Sequence, residues 1–384
     1  MRTNHYRRRF TCLACSCLLL LGHAHASAAD CAAPWPEWEQ FKHQMISVDG
    51  RVTDRKEAQQ TTVSEAQVYG MFFALVANDR SSFDTLLTWT ENNLAGGDLT
   101  VRLPAWQWGQ RPDQSWGILD DNSASDADLW LAYLLEQAGR HWQTPRYRAL
   151  GRLLAARILK EESAELPGLG LALLPAPRGF AYAAANSPTS WKLNASYLPL
   201  QVLRGLETAH KDARWGQLAH SAFAITVGSA PKGYAADWIR YSAASGFSID
   251  SDGAEQGRGG YNAIRVYLWT GMLADTVPER AALLKALAPM ATLTEQLGYP
   301  PEYVRIDNGI TTGSAGSGFS AALLPFFQAS RAHKAFDHQQ QRLQARPPQA
   351  YYDRVLSLFA GGWLERRYTF DANGSLRLNS TCKP

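Results

Sequence analysis

Ten segments of the chain carry apolar residues at the 3.6-residue spacing of a single helix face, and this repetition limits the fold more than any other feature. Glycine-, proline- and asparagine-rich connectors separate the segments, without a fixed-period repeat or a change of composition. The pattern predicts one mostly α-helical domain, built as a closed ring or an open array of helix pairs. The segments are residues 65–79, 82–95, 125–142, 146–162, 196–211, 214–230, 261–275, 280–298, 318–333 and 350–367.

Strand-like alternation is sparse and clearest near the C-terminus. There YTFDANGSLRL, residues 368–378, alternates around Asn373-Gly374, a pair that favours a tight hairpin turn. We therefore expect one small β-hairpin beside the helices.

The first 29 residues have the organisation of a cleaved secretory signal. MRTNHYRRRF is basic, TCLACSCLLLLG is a short apolar stretch, and AHASAAD places small residues before a cleavage site near Ala29. The apolar stretch is shorter than the roughly 20 residues that span a bilayer, so a membrane anchor is the less favoured alternative. We expect a mature single domain of residues 30–384, periplasmic or secreted, with no membrane anchor after cleavage.

Removal of this segment changes the charge and the cysteine content of the chain. The formal net charge of +3 falls to −1 with the loss of four arginines, and a nearly neutral chain without a basic run does not favour nucleic acid as a partner. Cys31 and Cys382 remain, and in an oxidising compartment they predict one disulfide that joins the chain ends; two free thiols are the alternative. The histidines lack metal-binding spacing, so we expect no metal and no cofactor.

Glu65 lies at the head of an otherwise apolar helix, on the face shared with Tyr69 and Phe72. Two roles fit this position. The stretch from Thr62 to Glu65 matches the capping box S/T-x-x-E, in which the acid only stabilises the helix start. Alternatively the carboxyl is a catalytic acid on a face that other helices cover.

Asp126 presents the same choice in the segment NSASDADLWLAYLL. It shares a helix face with Trp130 and Tyr133, and a role in a catalytic site is one interpretation of this position. In the structural alternative, Ser125 caps the helix and Asp126 complements the helix dipole. Phosphate-loop and G-x-S-x-G motifs are missing from the sequence, so two carboxylates that flank a sugar bond are the most economical chemistry.

One long connector is unusually rich in tryptophan, with three within eleven positions. Indole faces stack well on the apolar faces of sugar rings, although a single tryptophan more often fills a gap between helices. As a group they indicate a carbohydrate or aromatic ligand. The tryptophans concerned are Trp106, Trp108 and Trp116, with Trp191 later in the chain.

Four segments together resemble glycoside hydrolase family 8: TVSEAQVYGM, SASDADLW, SWKLNASYLPL and YNAIRVYLWTGM, in this order. The similarity covers nearly the whole mature chain and extends to the periplasmic endo-β-1,4-glucanases encoded beside bacterial cellulose synthases. The resemblance implies an all-α (α/α)6 barrel of paired helices, a substrate groove at one end and an inverting mechanism. It also suggests the cellulose synthase or export complex as a partner.

The resemblance assigns roles to individual residues. Glu65 matches the general acid, Asp126 the aspartate that holds the distorted sugar at the cleavage subsite, Tyr197 a tyrosine near the attacking water, and Arg265 a nearby arginine. The four tryptophans named above would stack on the glucan chain.

Asn262 departs from the family pattern, because the cellulose-operon enzymes usually carry the general base, an aspartate, at this position. An amide cannot take a proton from water near neutral pH. In one interpretation the base comes from the preceding loop FSIDSDGAEQGRGG, with Asp252 and Glu255 favoured and Asp250 also available. In a second, the protein is a weak or inactive hydrolase that binds glucan during cellulose export. In a third, it cleaves a related glycan such as chitosan or mixed-linkage glucan.

Overall fold

The computed structural model of the chain describes residue 1 and residues 34–53, 60–184, 187–250 and 255–379. In these ranges the helices form two concentric rings. The inner ring consists of α2 (Ser64–Val76), α4 (Ser125–His141), α6 (Leu200–His210), α8 (Ile264–Gly271), α11 (Ser317–Ser330) and α13 (Tyr351–Leu364). The outer ring consists of α1 (Pro36–Met45), α3 (Arg80–Leu94), α5 (Pro145–Glu161), α7 (Ala213–Gly228), the consecutive α9 (Arg280–Leu287) and α10 (Pro289–Leu297), and α12 (His333–Ala345).

The inner helices pack in ring order. Helix α2 contacts α4, α4 contacts α6, α8 contacts α11, and α11 contacts α13, while a 3-10 turn at Ala195–Tyr197 bridges the gap to α8. The ring closes because α13 packs against α2. This arrangement confirms the (α/α)6 barrel and decides between the closed ring and the open array.

The distribution of apolar residues explains which helices lie inside. In α2 every residue except Glu65 is buried, and α8 is buried along its whole length, as expected for helices that are apolar on all sides. Helices α3 and α5 bury a single stripe and expose the opposite face. None of the helices in the described ranges has the length and apolar character needed to cross a membrane.

Aromatic side chains fill the centre of the ring. The buried ring of Phe72 stacks on Phe359 of α13 with centroids 4.9 Å apart, and it meets Trp130 of α4 at 5.3 Å. One cluster of buried apolar side chains extends along the chain from Trp35 to Phe370. The helix that carries Glu65 is therefore fixed from two sides by aromatic contacts.

Short antiparallel sheets occupy the connectors. The first sheet contains β1 (Thr62–Val63), β2 (Gln107–Gln110) and β3 (Trp116–Asp120), and the second contains β4 (Ser163–Leu166) and β5 (Gly170–Leu173). The third contains β6 (Ala181–Ala184), β7 (Ser187–Leu193), β8 (Ile239–Ser242) and β9 (Gly246–Ile249). The fourth contains β10 (Arg258–Gly259), β11 (Tyr303–Arg305) and β12 (Thr311–Thr312), and the fifth contains β13 (Tyr368–Phe370) and β14 (Leu376–Leu378). Strands β13 and β14 confirm the predicted hairpin. The other four sheets were not expected, because strands this short show little alternation.

The helix predictions need three corrections. The segment 280–298 forms two helices, since Pro289 starts a new one, and the segment 196–211 becomes α-helical only after Pro199. Helices α1 and α12 were missed. Helix α12 buries only Ala335 and Gln339, whereas α1 has Trp38, Phe41 and Met45 on one face, a signal that the sequence did contain. The predicted cleavage site near Ala29, and both Cys31 and Cys382, lie outside the described residues.

Phe72→Ala is expected to lower the free energy of unfolding by about 3–5 kcal/mol, because it leaves a cavity between α2, α4 and α13. Leu153→Ala on the exposed face of α5 is the control, with an expected change within about 0.5 kcal/mol. Urea unfolding followed by circular dichroism measures both. A loss for Phe72→Ala no larger than for the control would contradict the central position of this ring.

Candidate active site

One end of the inner ring gathers acidic, amide, guanidinium and phenol groups. The first turns of α2, α4 and α13 meet there with the start of α8 and the 3-10 turn before α6. The contributing residues are Glu65, Tyr69, Asp126, Ser196, Tyr197, Asn262, Arg265, Tyr351 and Tyr352. The structure thus brings together the five residues predicted from α2, α4, α8 and the turn.

Arg265 donates hydrogen bonds to four different segments of the chain. Its Nη1 donates to Asp126 Oδ2 at 2.8 Å and to the Tyr69 hydroxyl at 3.0 Å. Its Nη2 donates to Asn262 Oδ1 at 2.8 Å and to Ser196 Oγ at 3.1 Å. Arg265 is only 6% exposed, and a charge at this depth requires such partners.

Glu65 occupies the second position of α2 with its side chain partly exposed. Burial raises the pKa of Glu65 to about 7, the negative charge of Asp126 acts in the same direction, and Arg265 opposes both. The Ser64 hydroxyl donates to Glu65 Oε2 at 3.3 Å. A carboxyl with this pKa keeps its proton in a large fraction of molecules near neutral pH, which a general acid requires.

The capping-box interpretation of Glu65 is wrong. Helix α2 begins at Ser64 after Val63, and no side chain accepts a capping hydrogen bond there. Thr62 lies in β1, with its hydroxyl turned to the backbone of another segment. Ser125 is likewise the first residue of α4 rather than its cap.

Asp126 is buried in the first turn of α4. Its Oδ2 accepts the bond from Arg265, and its Oδ1 accepts the Ala127 N–H at 2.9 Å. Burial raises the pKa of Asp126, and Arg265 opposes this shift. The side chain is therefore held inside the site, and its position is not explained by the helix dipole alone.

Asn262 lies just before α8 and is oriented from two directions. Its Oδ1 accepts a hydrogen bond from Arg265, so the amide nitrogen remains available for other contacts. The amide nitrogen is a donor only and cannot take a proton from water. Asp237 Oδ1 accepts the backbone N–H groups of Asn262 and Ala263 at 2.8 Å and of Gly260 at 2.9 Å. Asp237, which sequence analysis missed, therefore positions Asn262.

The structure distinguishes the loop acids considered as general bases. Asp250 is buried, and cationic side chains hold both of its oxygens at 2.9 Å. Glu255 is only partly buried and forms no ion pair with the described residues. The pKa of Asp237 is raised first by burial of Asp237 and also by the negative charge of Glu255. This interaction indicates that Glu255 lies near the start of α8. Asp252 lies outside the described residues.

The backbone of Trp106 lies beside the acidic end of α2. Its carbonyl accepts the N–H of Ser64 at 2.8 Å, so its backbone is directly beside Glu65. The side chain is 37% exposed, and among the described residues no other aromatic ring stacks on it. Its face is available to a ligand.

The other three predicted platforms differ in how much surface they leave open. Trp108 and Trp116 stack on each other with centroids 5.2 Å apart, and the Arg51 guanidinium lies over both rings. Trp116 remains 45% exposed, which leaves it one open face. Trp191 is only 8% exposed and packs near Tyr241.

Tyrosines complete the wall of the site, and sequence analysis missed them. The pKa of Tyr351 and Tyr352 is raised chiefly by burial and further by the charge of Glu65, which places both near the acid. The hydroxyl of Tyr352 donates to the carbonyl of Tyr261. Their position was the available signal. Tyr351 and Tyr352 are the first two residues of the last inner helix, and Glu65 and Asp126 likewise lie in the first turns of their helices.

Comparison with known proteins identifies relatives over nearly the whole chain. Residues 9–366 match the model of glycosyl hydrolases family 8. The endoglucanase of Salmonella typhi is 45% identical over 91% of this chain and 92% of its own, and that of Escherichia coli K12 is 44% identical over 91% and 93%. The crystal structure of the endo-1,4-D-glucanase from Vibrio fischeri ES114 covers 90% of this chain and 99% of its own, with a TM-score of 0.82 and 41% identity.

Arg265→Met is expected to lower the free energy of unfolding by about 3–5 kcal/mol, because it leaves Asp126 buried without its cation. Arg157→Met is the matched control. Arg157 pairs with Glu161 at 2.6 Å on the partly exposed surface of α5, where the expected loss is at most about 0.5 kcal/mol. Urea unfolding compares the two variants, and equal losses would show that the Arg265 pair is not the stabilising contact.

Proposed function

The chain belongs to glycosyl hydrolase family 8, and we propose that it is an inverting endo-β-1,4-glucanase. The observation that carries this proposal is Glu65, a partly buried carboxyl whose pKa of about 7 suits a general acid, beside the Asp126–Arg265 pair. The relatives that are 44% and 45% identical to it over 91% of its length are named endoglucanases, which supports β-1,4-glucan as the substrate.

Glu65 supplies the proton that the leaving sugar needs. Its carboxyl donates to the glycosidic oxygen while the bond to the anomeric carbon breaks. Asp126 accepts hydrogen bonds from hydroxyl groups of the sugar at the cleavage subsite, and Arg265 keeps its carboxylate in place. Trp106 offers an indole face to the glucan next to this point.

Glu255 is the general base that we favour. An inverting enzyme needs a second carboxylate about 6.5–9.5 Å from the acid, so that a water molecule fits between it and the sugar. Asp250 has both oxygens bound by cations, whereas Glu255 has no such partner among the described residues. Tyr197, beside Asp126 and Glu65, would orient the water.

Asn262 favours a second candidate function. With an amide at the usual base position, the protein would bind glucan with weak or no hydrolysis, or it would cleave a related glycan such as chitosan or mixed-linkage glucan. In either case the groove and its tryptophans serve the same class of ligand.

The resemblance to enzymes encoded beside cellulose synthases supports a role in bacterial cellulose synthesis and export. The signal pattern of the first 29 residues supports a periplasmic or secreted location. Contact with the synthase or export complex would follow from this location. Cellulose yield in a deletion strain, complemented with the native or the Glu65→Gln protein, tests the role.

Glu65→Gln is expected to reduce turnover of carboxymethylcellulose by about 10²–10⁴-fold, because the amide cannot donate the proton to the leaving oxygen. Fold and glucan binding should remain. Loss of viscosity and release of reducing ends measure turnover, and circular dichroism controls for folding. Unchanged turnover would rule out Glu65 as the acid.

The same assay tests the base in a matched panel of Glu255→Gln, Asp252→Asn and Asp250→Asn, with Asn262→Asp as the reverse change. If the native protein cleaves and only Glu255→Gln is inactive, Glu255 is the base. If only Asp252→Asn is inactive, Asp252 is the base and Glu255 is not. A native protein without activity and an active Asn262→Asp variant would establish the glucan-binding alternative.

Turnover is expected to fall as pH rises above about 7, by about tenfold per pH unit, because Glu65 then loses the proton it must donate. Asp126→Asn removes the negative charge that raises the Glu65 pKa, so the residual activity of this variant should decline at lower pH than that of the native protein. Rate profiles with a soluble cello-oligosaccharide measure both. If turnover declines at the same alkaline pH in both proteins, the charge of Asp126 does not raise the pKa of Glu65.

A further inference from the structure

Two buried carboxyl groups without a cation lie close to Asp126, and the mechanism above does not use them. Asp128 in α4 is 1% exposed, and Glu162, which follows α5, is 0% exposed. Neither forms an ion pair with the described residues. The Ser123 hydroxyl donates to Glu162 Oε1 at 2.6 Å, whereas Glu162 Oε2 and both Asp128 oxygens lack a donor in the described part of the chain.

A single proton shared by the two carboxyls resolves this arrangement. Buried acceptors without donors are costly, and two adjacent buried carboxylates repel each other. A proton on one group makes it a donor to the other and removes one of the two charges. Burial raises the pKa of both acids, to about 8 for Glu162, and the charge of Glu162 raises the pKa of Asp128 further.

The charged groups around the pair also favour the proton. The negative charge of Asp126 raises the pKa of both carboxyls, and that of Glu161 at the end of α5 raises the pKa of Glu162. Glu161 is itself paired with Arg157 on the surface. The connector before α4 contributes Ser123, whose hydroxyl opposes this effect and lowers the pKa of both carboxyls.

Backbone hydrogen bonds connect the pair to the first turn of α4. The Leu174 N–H donates to the Glu162 carbonyl at 2.7 Å, and the carbonyl of the next residue, Pro175, accepts the Ser125 N–H at 3.0 Å. Ser125 immediately precedes Asp126. The backbone of Glu162 is therefore linked through Leu174 and Pro175 to the residue before Asp126.

We propose that Asp128 and Glu162 share one proton, and that this proton keeps the first turn of α4, with Asp126, in the geometry that binds substrate. Both are positioning residues. The link to substrate rests on the proposed function, whereas the shared proton does not. When the proton is lost, a second negative charge enters the buried pair beside Asp126, the carboxyls separate, and glucan binding weakens independently of Glu65.

The experiment measures cellotetraose binding by calorimetry at about pH 6 and about pH 10 in the Glu65→Gln protein, which turns the ligand over about 10²–10⁴-fold more slowly and does not titrate at that position. The dissociation constant is expected to rise by about tenfold or more between the two conditions. With Glu162→Gln added, the amide donates permanently to Asp128, and the change should stay within about twofold. Asp126 titrates in both proteins, so their difference reports the pair.

Glu161→Gln in the Glu65→Gln background is the matched control. It removes one of the charges that raise the pKa of Glu162, so the loss of affinity should begin at a lower pH, but the loss of about tenfold or more should remain because the pair itself is intact. An equal loss of affinity with and without Glu162→Gln, or no loss in the parent, would overturn the positioning role.

Infrared difference spectra test the proton without any ligand. The C=O stretch of a protonated carboxyl should be present in the parent at about pH 6, should weaken and be lost as the pH is raised, and should be missing from the Glu162→Gln protein. A parent without this band would overturn the shared proton. If the band titrates as expected and cellotetraose does not bind at the lower pH, the glucanase proposal fails while the shared proton stands.

Discussion

Arg265 places a positive charge inside the end of the inner ring where several acids converge, and the site depends on this charge. Asp126 can remain an anion at that depth because the guanidinium lies 2.8 Å away. The same guanidinium bonds Tyr69, Ser196 and Asn262, so it joins α2, the 3-10 turn and the start of α8 to α4. The stability of the fold and the geometry of the site therefore both depend on this buried cation, and we expect a change at Arg265 to alter both.

The inner helices and the site acids were visible in the sequence because their signals are local. Helices α2 and α11 are apolar on every side, and this pattern distinguishes an inner helix from an outer one. Glu65 stood out as an acid on such a helix. The sequence could not decide between capping and catalysis, because a capping role requires Glu65 to lie at a fixed position after the helix start. Periodicity places the helix start only within a few residues. The burial that raises the pKa of Glu65 comes from other segments of the chain.

What sequence analysis missed depends on contacts between distant segments. Asp237 is an ordinary connector residue until the start of α8 folds onto it and three N–H groups converge on its carboxyl. The pairing of Asp128 with Glu162 likewise needs α5 to return beside α4. For the tryptophans the sequence showed the cluster but could not show the ring contacts: Trp108 and Trp116 stack on each other, whereas Trp106 has no stacked aromatic partner among the described residues.

Closure of the ring by α13 against α2 has a consequence for the way the protein is made. The wall of the site takes its first residue from α2 and its last from α13, so nearly the whole chain must emerge from the ribosome before the two can meet. Contacts this far apart in sequence also form slowly. An incomplete nascent chain can present Glu65 and Asp126 without Tyr351 and Tyr352, and it therefore cannot assemble the cleft. The protein begins to act on a polysaccharide only as a finished molecule, so synthesis itself delays the onset of its chemistry.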